Sequence, residues 1–507
     1  MKTRRAFYTV FALFVLGAML ACSFVSKVFT GEGGTGEEVG SAEQSSDGDE
    51  ETGKPITGNW EQVISNGWTS AKNQQVGGNE ELDGYTYFNT LVGLTAMCGE
   101  RPPEGGAEIW RTRDGKMWEG VVEDGFGNPD NNWLELATWH DRMYVIARGA
   151  DTFTLWVTKN GKDYEEMDGP WTNDETADLA VINDRLFLFA GSVRNGQGLQ
   201  AWEISDRDEF RKIFEGGLGD PTSRMAIGRT ELPELGGWAY IGIVNNEKGG
   251  EVWRSDGGTG WERSLTGGFD DPQIMSVVPH VVFKDHLYAS SIHYPNGPNI
   301  LRTDGGTRWE KVVENAFGLG EHHYSAAFLK EFKGDLYLVF SNDDPRMCGL
   351  GEAVVAGEAA DPSVVGPSVV GPSVGVPFVG GAGQGSGGGA SGSAWTGYSD
   401  LFTPPGFTLW RSADGKDWSQ IGEPGFGNTD FFWAGPSVVR DYMYICAVNY
   451  KDGNKVWRSS DGENWDEFFA PPLNADTFGC AIGELDDSLV YLEGDLSHGA
   501  NIWRYGE

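Results

Sequence analysis

Basic residues are scarce in this sequence of 507 residues: Lys and Arg number 38 against 75 Asp and Glu, so the formal net charge is −37. Phosphate binding needs concentrated positive charge, so this balance excludes a nucleic-acid partner. Gly (75) and Pro (22) are abundant, and so are Phe (27), Trp (20) and Tyr (16). Many turn-forming residues together with many aromatic residues exclude a wholly disordered chain and favour an all-β protein with a substantial core.

Cysteine is also scarce, with five in the chain. One lies near the amino terminus, and the other four are Cys98, Cys348, Cys446 and Cys480. None of them has the spacing of a metal site, and four cysteines allow three disulfide pairings. Cys446 and Cys480 lie in apolar stretches, so the sequence leaves open whether they are buried free thiols or a disulfide bridge.

The first 25 residues predict an export signal. Three basic residues precede an uncharged apolar run at positions 6–25. Met19-Leu20-Ala21-Cys22 resembles the cleavage box of bacterial lipoproteins, and this resemblance implies that Cys22 becomes the lipid-bearing first residue. An uncleaved run of about twenty apolar residues is long enough to span a bilayer. In either case we expect the body at the extracytoplasmic face of the cell membrane, anchored by a lipid or a helix.

Residues 26–57 predict an extended acidic tether. Between Gly31 and Lys54 the chain is rich in Gly, Ser and Thr and carries eight carboxylates. Such a segment buries too little apolar area to fold, and its like charges repel one another. We therefore expect the folded body to begin at residue 58, about 30 Å or more from the membrane.

A unit of about 47 residues recurs from residue 58 to 507. Each copy has an apolar-Trp-Arg-Ser/Thr strand, a turn based on Asp-Gly, and an aromatic residue eight positions after the first one. The first marker residue of each copy is Trp110, Trp156, Trp202, Trp253, Leu301, Trp410, Trp457 or Trp503. Alternating apolar segments supply two further strands ahead of each one. Four-stranded repeats of this period are typical of β-propeller blades.

The two ends of the repeat region complete each other. The last unit stops at Trp503-Arg504-Tyr505 without an outer strand, and the body begins with an isolated strand at residues 59–63. Pairing these strands completes the last blade and closes the ring. The sequence therefore predicts an all-β propeller of eight four-stranded blades. Seven blades are the alternative, because residues 203–210 lack the Asp-Gly turn and Gly236-Gly237 disturbs the pattern nearby.

One interval between repeats is more than twice as long as the others. It is of low complexity, rich in Gly, Pro, Ser and Val, and residues 362–399 include no charged side chain. We predict that residues 346–405 are a disordered insertion in the loop between the second and third strands of the sixth blade. A partner-binding arm is the alternative.

The segments Ser412–Trp418 and Ser459–Trp465 resemble the Asp box of bacterial neuraminidase repeats, Ser/Thr-x-Asp-x-Gly-x-Thr-Trp, with one residue fewer before the Trp. Asp or Asn can hydrogen-bond the backbone of its own turn, Gly supplies a positive φ, and the Trp covers the hairpin. The arginine after the first Trp is expected to stack its stem on aromatic rings. We interpret the box residues as structural, and they are Asp114, Asn160, Asp256, Asp304, Asp414 and Asp461.

The loops between blades carry a second motif, Gly-Phe-Gly-Asn at 125–128 and 425–428 and Ala-Phe-Gly at 316–318. Each Phe is followed by an acidic residue and, seven positions on, by an aromatic residue. Aromatic rings beside carboxylates suit a sugar ring or a cation, so the candidate binding residues are Trp133, Tyr324, Trp433, Asp130, Glu321 and Asp430. The alternative is that these aromatic residues only pack against the next blade. The pair His322-His323 is a weak metal signal, since neighbours on a strand point to opposite faces.

Two enzyme families share features with this chain. Sialidases resemble it in their Asp boxes, but that family is six-bladed and needs an Arg-Ile-Pro motif, three arginines and a Tyr/Glu pair that this sequence does not supply. Eight-bladed quinoprotein dehydrogenases have Gly-Lys-x-x-Trp repeats, but Gly415–Trp418 is one residue short and no adjacent cysteine pair is present.

We therefore predict a non-catalytic binding or scaffold module that recognises a glycan, a peptide or an envelope protein at the propeller entrance. A sialidase-like glycoside hydrolase is the alternative. We expect a monomer without cofactor or metal, with bound calcium left open.

Overall fold

The computed structural model is almost entirely β-structure. It describes residues 56–93, 104–149, 152–171, 176–191, 196–227, 231–245, 247–293, 297–319, 326–342, 406–449, 451–474 and 476–506. The predicted export signal, Cys22, residues 26–55 of the tether, the insertion, Cys98, Cys348, Glu321 and Tyr324 lie outside these ranges. None of the helices in the described ranges is long and apolar enough to cross a membrane.

The first four units of the chain each form an antiparallel meander. Unit 1 comprises β2 (Gln75–Leu82), β3 (Tyr85–Leu91), β4 (Ile109–Thr112) and β5 (Glu119–Val122). Unit 2 comprises β6 (Trp133–Trp139), β7 (Arg142–Arg148), β8 (Phe153–Thr158) and β9 (Glu165–Met167). Unit 3 comprises β10 (Thr176–Ile182), β11 (Arg185–Gly191), β12 (Gln200–Ile204) and β13 (Phe210–Phe214). Unit 4 comprises a first strand in two parts, β14 (Met225–Ile227) and β15 (Glu234–Leu235), then β16 (Trp238–Val244), β17 (Glu251–Ser255) and β18 (Trp261–Leu265).

The remaining units repeat this arrangement. Unit 5 comprises β19 (Ile274–Phe283), β20 (His286–His293), β21 (Asn299–Thr303) and β22 (Glu310–Val313). Unit 6 comprises β23 (Ala326–Phe332), β24 (Asp335–Ser341), β25 (Thr408–Ser412) and β26 (Ser419–Ile421). Unit 7 comprises β27 (Trp433–Val439), β28 (Tyr442–Val448), β29 (Lys455–Ser459) and β30 (Asp466–Phe469). The closing unit comprises β31 (Thr477–Leu485), β32 (Ser488–Asp495), β33 (Asn501–Gly506) and, from the other end of the chain, β1 (Asn59–Ile64).

This architecture confirms the predicted β-propeller and its closure. β1 and β33 pair in antiparallel register, with Asn59 opposite Gly506 and Trp60 opposite Tyr505. The Trp60 ring stacks on Phe469 of unit 7 with 4.1 Å between ring centroids. The described strands agree with a count of eight, whereas the blade count itself stays a prediction. The insertion falls between β24 and β25, which is the predicted loop.

Each unit has two ends. The turns between its first and second strands and between its third and fourth strands lie at one end, which we call the box end. The loop between the second and third strands and the connection to the next unit lie at the other, which we call the loop end. Short helical turns occur in these connections, at Asp124–Gly127, Gly216–Gly219, Gly267–Asp270, Asn315–Gly318 and Pro424–Gly427.

The hydrophobic core is divided among the interfaces between neighbouring units. One cluster, for example, joins Tyr144 and Leu155 of unit 2 to Leu188 and Trp202 of unit 3. All four side chains are buried. Since each unit shares its apolar surface with both neighbours, no unit buries a core of its own.

In the Asp-box turns, the side chain of the Asp or Asn hydrogen-bonds the backbone of its own turn. The Oδ1 atom of Asp461 accepts hydrogen bonds from the N–H groups of Glu463 and Asn464, both at 2.8 Å. These bonds hold the pKa of the Asp461 carboxyl well below its usual range. Ser459 Oγ accepts the N–H of Gly462 at 2.8 Å, and Gly462 has a φ of +75°. Side-chain oxygens accept the same pair of backbone bonds at Asp114, Asn160 and Asp414.

Two of the six predicted box residues occupy a different position. Asp256 comes directly after Ser255, whose hydroxyl accepts the N–H of Gly258 at 2.8 Å. In the four turns described above, one more residue lies between the Ser or Thr and the Asp. A glycine therefore stands at the place of the turn-bonding carboxylate, and the Asp304 turn has the same arrangement.

The turn of unit 3 forms without an Asp-Gly pair. Asp208 takes the position of the glycine with a φ of +60°. Its carboxylate pairs with Arg142 at 2.5 Å and accepts the Tyr144 hydroxyl at 3.2 Å. β12 and β13 are present on either side of this turn, so the irregular sequence here does not interrupt the repeat.

The arginine after each Trp has more partners than predicted. The Arg111 guanidinium lies 4.0 Å from the centre of the Tyr85 ring, which confirms the expected aromatic stacking. It also pairs with Glu119 at 2.8 Å and donates from Nη1 to the backbone oxygen of Asn160 in the next unit at 3.2 Å. This arginine therefore connects two units as well as two strands.

A disulfide between Cys446 and Cys480 decides the alternative that the sequence left open. Its Cα atoms are 6.0 Å apart, and it joins β28 of unit 7 to β31 of the closing unit. The bond therefore lies next to the strand pair that closes the ring.

We expect the double variant Cys446→Ala/Cys480→Ala to be less stable by about 3 kcal/mol, because the crosslink limits the entropy of the unfolded chain over 34 residues. Chemical denaturation of oxidised, reduced and variant protein measures this difference. Equal stabilities of the oxidised and variant proteins would show that the bond contributes nothing.

Candidate functional site

The Gly-Phe-Gly motif forms a left-handed turn at the loop end. Asp124, Gly125, Phe126 and Gly127 have φ values of +47°, +58°, +66° and +80°. Non-glycine residues rarely adopt this conformation, so the two glycines reduce the strain of four such residues in succession. Gly125 donates its N–H to the backbone oxygen of Ala107 at 2.8 Å, which fixes the turn against its own unit.

The phenylalanine of this motif packs against the next unit. Phe126 stacks on Trp156 of β8 with ring centroids 4.3 Å apart and an interplanar angle of 6°. Phe317 stacks on Trp410 of β25 at 3.9 Å. Phe426 contacts Trp457 of β29 at 5.1 Å. The motif therefore serves packing between units.

The two described tryptophans of the predicted binding set begin the first strands of their units. Trp133 is 3% exposed and Trp433 is 8% exposed. Trp433 makes an edge contact with Phe328 of unit 6, with centroids 5.9 Å apart. Stacking on a sugar ring requires an open ring face, so this burial favours the packing role that the sequence offered as the alternative.

The acidic members of the predicted set lie nearer the solvent. Asp130 is exposed, and Asp430 is half-buried and pairs with Lys451 at 3.1 Å. The backbone N–H of each aspartate bonds the side chain of the Asn two residues earlier. Glu321 and Tyr324, like His322 and His323, lie outside the described residues. A binding role for the six residues stays a prediction.

A cluster that the sequence did not reveal lies at the loop end of the closing unit. Asp476 ends the connection from unit 7, Asp495 is the last residue of β32, and His498 lies in the loop from β32 to β33. Their potential ligand atoms all lie within 4.8 Å of one another. Asp495 is 1% exposed, whereas His498 is exposed. We call these three residues the closing-unit cluster.

Local hydrogen bonds fix the closing-unit cluster. Asp495 Oδ1 accepts the N–H groups of Ser497 and His498 at 2.8 and 2.7 Å, which folds the loop back over the carboxylate. Asp495 Oδ2 lies 3.3 Å from His498 Nδ1 and accepts the amide of Asn474 at 2.6 Å. The His498 ring is also 3.8 Å from the Asp476 carboxylate.

A second carboxylate lies beneath this cluster. Glu493 is 2% exposed and accepts hydrogen bonds from the Tyr491 hydroxyl at 2.9 Å and from Asn474 and Asn454 at 3.3 Å. Burial raises the pKa of Glu493 to about 7; the bonds from Tyr491 and Asn474 lower it, and the nearby Asp495 charge raises it. The carboxyl is therefore poised near neutral pH between a hydrogen-bond donor and an acceptor.

The arrangement suits coordination of a cation or hydrogen bonding to hydroxyl groups. Two carboxylates and an imidazole offer three ligand atoms, and a mixed set of oxygen and nitrogen donors suits Zn²⁺ or Mn²⁺ better than Ca²⁺. Asp476 precedes β31 and Asp495 ends β32, so the two carboxylates come from different parts of the unit, and Asp495 precedes His498 by three residues. The Asp-x-x-His spacing was the sole local signal, and it is too common to identify a site.

A buried ion cluster connects units 2 and 3. Arg148 pairs with Glu135 at 2.7 Å and with Asp178 at 3.4 Å, and all three are buried. Burial raises the pKa of Asp178 to about 6, against the opposing effect of Arg148. Arg148 also bonds the backbone oxygen of Ala177. Arg148 ends the second strand of unit 2 and connects the first strands of units 2 and 3, which indicates a structural role.

We expect Trp433→Ala to lower the stability by about 3–5 kcal/mol, because truncating a buried indole leaves a cavity. Met117→Ala is the matched control, since Met117 is 77% exposed and its truncation should change stability little. Thermal unfolding of both variants measures the difference. A stable Trp433→Ala protein that has lost ligand binding would instead restore the tryptophan to the binding site.

No protein-family model matches this chain, and no curated protein matches it. Solved structures with a similar course of the chain include a prolyl endopeptidase (11% identity, TM-score 0.43, 83% of this chain and 54% of the other). Prolyl oligopeptidase B from Galerina marginata is 8% identical, with a TM-score of 0.43 and coverage of 83% and 55%. Streptogramin B lyase is 10% identical, with a TM-score of 0.37 and coverage of 88% and 96%. The chain thus spans about half the length of the two peptidases that it matches.

Proposed function

We propose that this protein is a non-catalytic binding or scaffold propeller. It recognises a glycan, a peptide or an envelope protein through the loops at its loop end, and it is held at the extracytoplasmic face of a membrane. The observation that carries this proposal is the closing-unit cluster of Asp476, Asp495 and His498. Among the described residues it is the single group of three or more His, Cys, Asp or Glu side chains whose ligand atoms lie so close together.

The contrast with the repeated motifs supports this choice. Asp-box carboxylates bond their own turns, the arginines join neighbouring units, and the Gly-Phe-Gly rings pack on the next unit. These contacts stabilise the fold, so the repeated residues need no binding role to account for them. The closing-unit cluster belongs to no repeated motif, and it lies where the loops of a propeller form its binding surface.

The anchoring part of the proposal comes from the sequence. The apolar run at 6–25, the lipoprotein-like Cys22 and the acidic segment that follows are typical of an exported, tethered body. A surface-attached propeller with a net charge of −37 stays soluble and repels other anionic surfaces, which suits a module that presents one defined face.

A glycan, polysaccharide and peptide array tests the proposal, with the full chain in detergent and with retention and any cleavage of the arrayed molecules both recorded. We expect retention without cleavage. Asp476→Asn/His498→Ala should weaken retention at least about tenfold, because it removes two of the three converging polar groups.

The matched control is Asp285→Asn/His286→Ala, which changes the same residue types in the box-end turn of unit 5 and should bind like the parent. Retention that survives in both double variants would move the site elsewhere. Cleavage of a glycan would replace the proposal with the glycoside hydrolase alternative, and an array without retention would contradict recognition of glycans and peptides.

A further inference from the structure

At the box end, the turn between the third and fourth strands of a unit packs against the unit that precedes it. A Cβ atom placed on the turn glycine would overlap the hydroxyl of a tyrosine in the second strand of the preceding unit. The pairs with this contact are Gly161 with Tyr87, Gly306 with Tyr240, Gly415 with Tyr288 and Gly462 with Tyr337. Glycine is therefore required at these turns by close approach as well as by its φ.

An arginine completes the receiving surface. Arg111 Nη1 donates to the backbone oxygen of Asn160 at 3.2 Å, Arg254 Nη1 to that of Gly305 at 2.7 Å, and Arg302 Nη1 to that of Asp414 at 3.4 Å. In each case the acceptor immediately precedes the turn glycine. A tyrosine and an arginine of one unit thus recognise the glycine and the preceding carbonyl of the next turn.

Unit 7 has the same tyrosine and arginine, but the described residues include no turn that packs against them. Its tyrosine is Tyr444 and its arginine is Arg458. The turn would come from the closing unit, but there the third strand is β33 and the fourth is β1, so the two chain ends take the place of a turn. The tyrosine and arginine of unit 7 therefore have no described turn opposite them.

A cavity of about 150 Å³ marks this position. Its lining includes Tyr444, Arg458, Tyr505 and Ile56, the first described residue before β1. Arg458 lies 4.2 Å from the centre of the Phe468 ring. Within the described residues Arg458 has no carboxylate partner, whereas Arg111, Arg254 and Arg302 each pair with a glutamate.

The missing turn sequence is present just ahead of β1. Residues 45–50 read Ser-Ser-Asp-Gly-Asp-Glu, and residues 459–464 of unit 7 read Ser-Ser-Asp-Gly-Glu-Asn. Residues 45–50 also precede a fourth strand, β1, but with a longer connection: Asp461 stands four residues before Trp465, whereas Asp47 stands thirteen residues before Trp60. The eight steps along the chain from Gly48 to Ile56 span up to about 26 Å, so the segment can return to the cavity.

We propose that residues 45–48, Ser-Ser-Asp-Gly, dock in this cavity as the eighth box-end turn. Gly48 lies over the Tyr444 hydroxyl, and the backbone oxygen of Asp47 accepts a hydrogen bond from Arg458. Asp49 stands where Glu463 stands in unit 7, and Glu463 bonds Arg411 of the preceding unit. The acidic segment therefore complements the positive charge of Arg458, which has no carboxylate partner among the described residues.

This docking fixes the place at which the tether leaves the folded ring. The segment leaves the ring at the box end, so the loop end faces away from whatever holds the tether. The inference rests on the box-end contacts alone, and it holds whether or not the closing-unit cluster binds a ligand.

Hydrogen exchange of the full chain in detergent tests the docking. Glu463 and Asn464 donate their N–H groups to Asp461 at 2.8 Å, so we expect the equivalent amides of Asp49 and Glu50 to be protected. They should exchange at least about tenfold more slowly than amides 34–38 of the same tether. Gly48→Val should abolish that protection, because its side chain would overlap the tyrosine and prefers a negative φ.

Gly36→Val is the matched control, since it changes a tether glycine outside the segment and should leave amides 49 and 50 protected. Both variants change the tether and leave the residues of the ring unaltered, so a loss of protection cannot come from an unfolded ring. Amides 49 and 50 that exchange like those of an isolated peptide of residues 45–50 would overturn the proposal. Protection that vanishes on dilution of the protein would overturn it too, by assigning the cavity to a second copy.

Discussion

The structure depends on the surface that each four-stranded unit buries against its neighbours. A single unit is hydrophobic on both faces and has no core of its own, so its stability comes from interfaces such as the cluster of Tyr144, Leu155, Leu188 and Trp202. An open row of such units would expose one apolar face at each end. Pairing of β1 with β33 removes both ends, and the Cys446–Cys480 bond fixes the same junction.

Two sets of contacts reinforce these interfaces at opposite ends of the units. At the box end, a Gly of one turn fits against a Tyr and an Arg of the preceding unit. At the loop end, a left-handed turn places a Phe on the Trp of the following unit. Because both sets recur in several units, they explain why Trp, Gly and Arg stand at fixed positions of the repeat. The residues that belong to no repeated motif are then the candidates for a function beyond stability.

The periodic features of the fold could be predicted from the sequence. Features that depend on contacts between residues far apart in the sequence could not. Four strands per unit, the closure and the place of the insertion followed from spacing alone. The role of Phe126 did not, because its partner Trp156 becomes adjacent through a run of positive φ values that no propensity scale anticipates. The burial of Trp433 and the pairing of Cys446 with Cys480 are equally non-local, and Asp476, Asp495 and His498 come together only when the closing unit folds.

The central claim is that closure by β1 holds the whole ring, and hydrogen exchange of Trp60→Pro tests it most directly. Proline cannot donate to the strand ladder and removes the ring that stacks on Phe469. The account predicts that amide protection falls in units 1 and 7 as well as in the closing unit, because those interfaces lose their support together. A loss confined to β1 and β33 would contradict it and show that the units are stable without the closed ring.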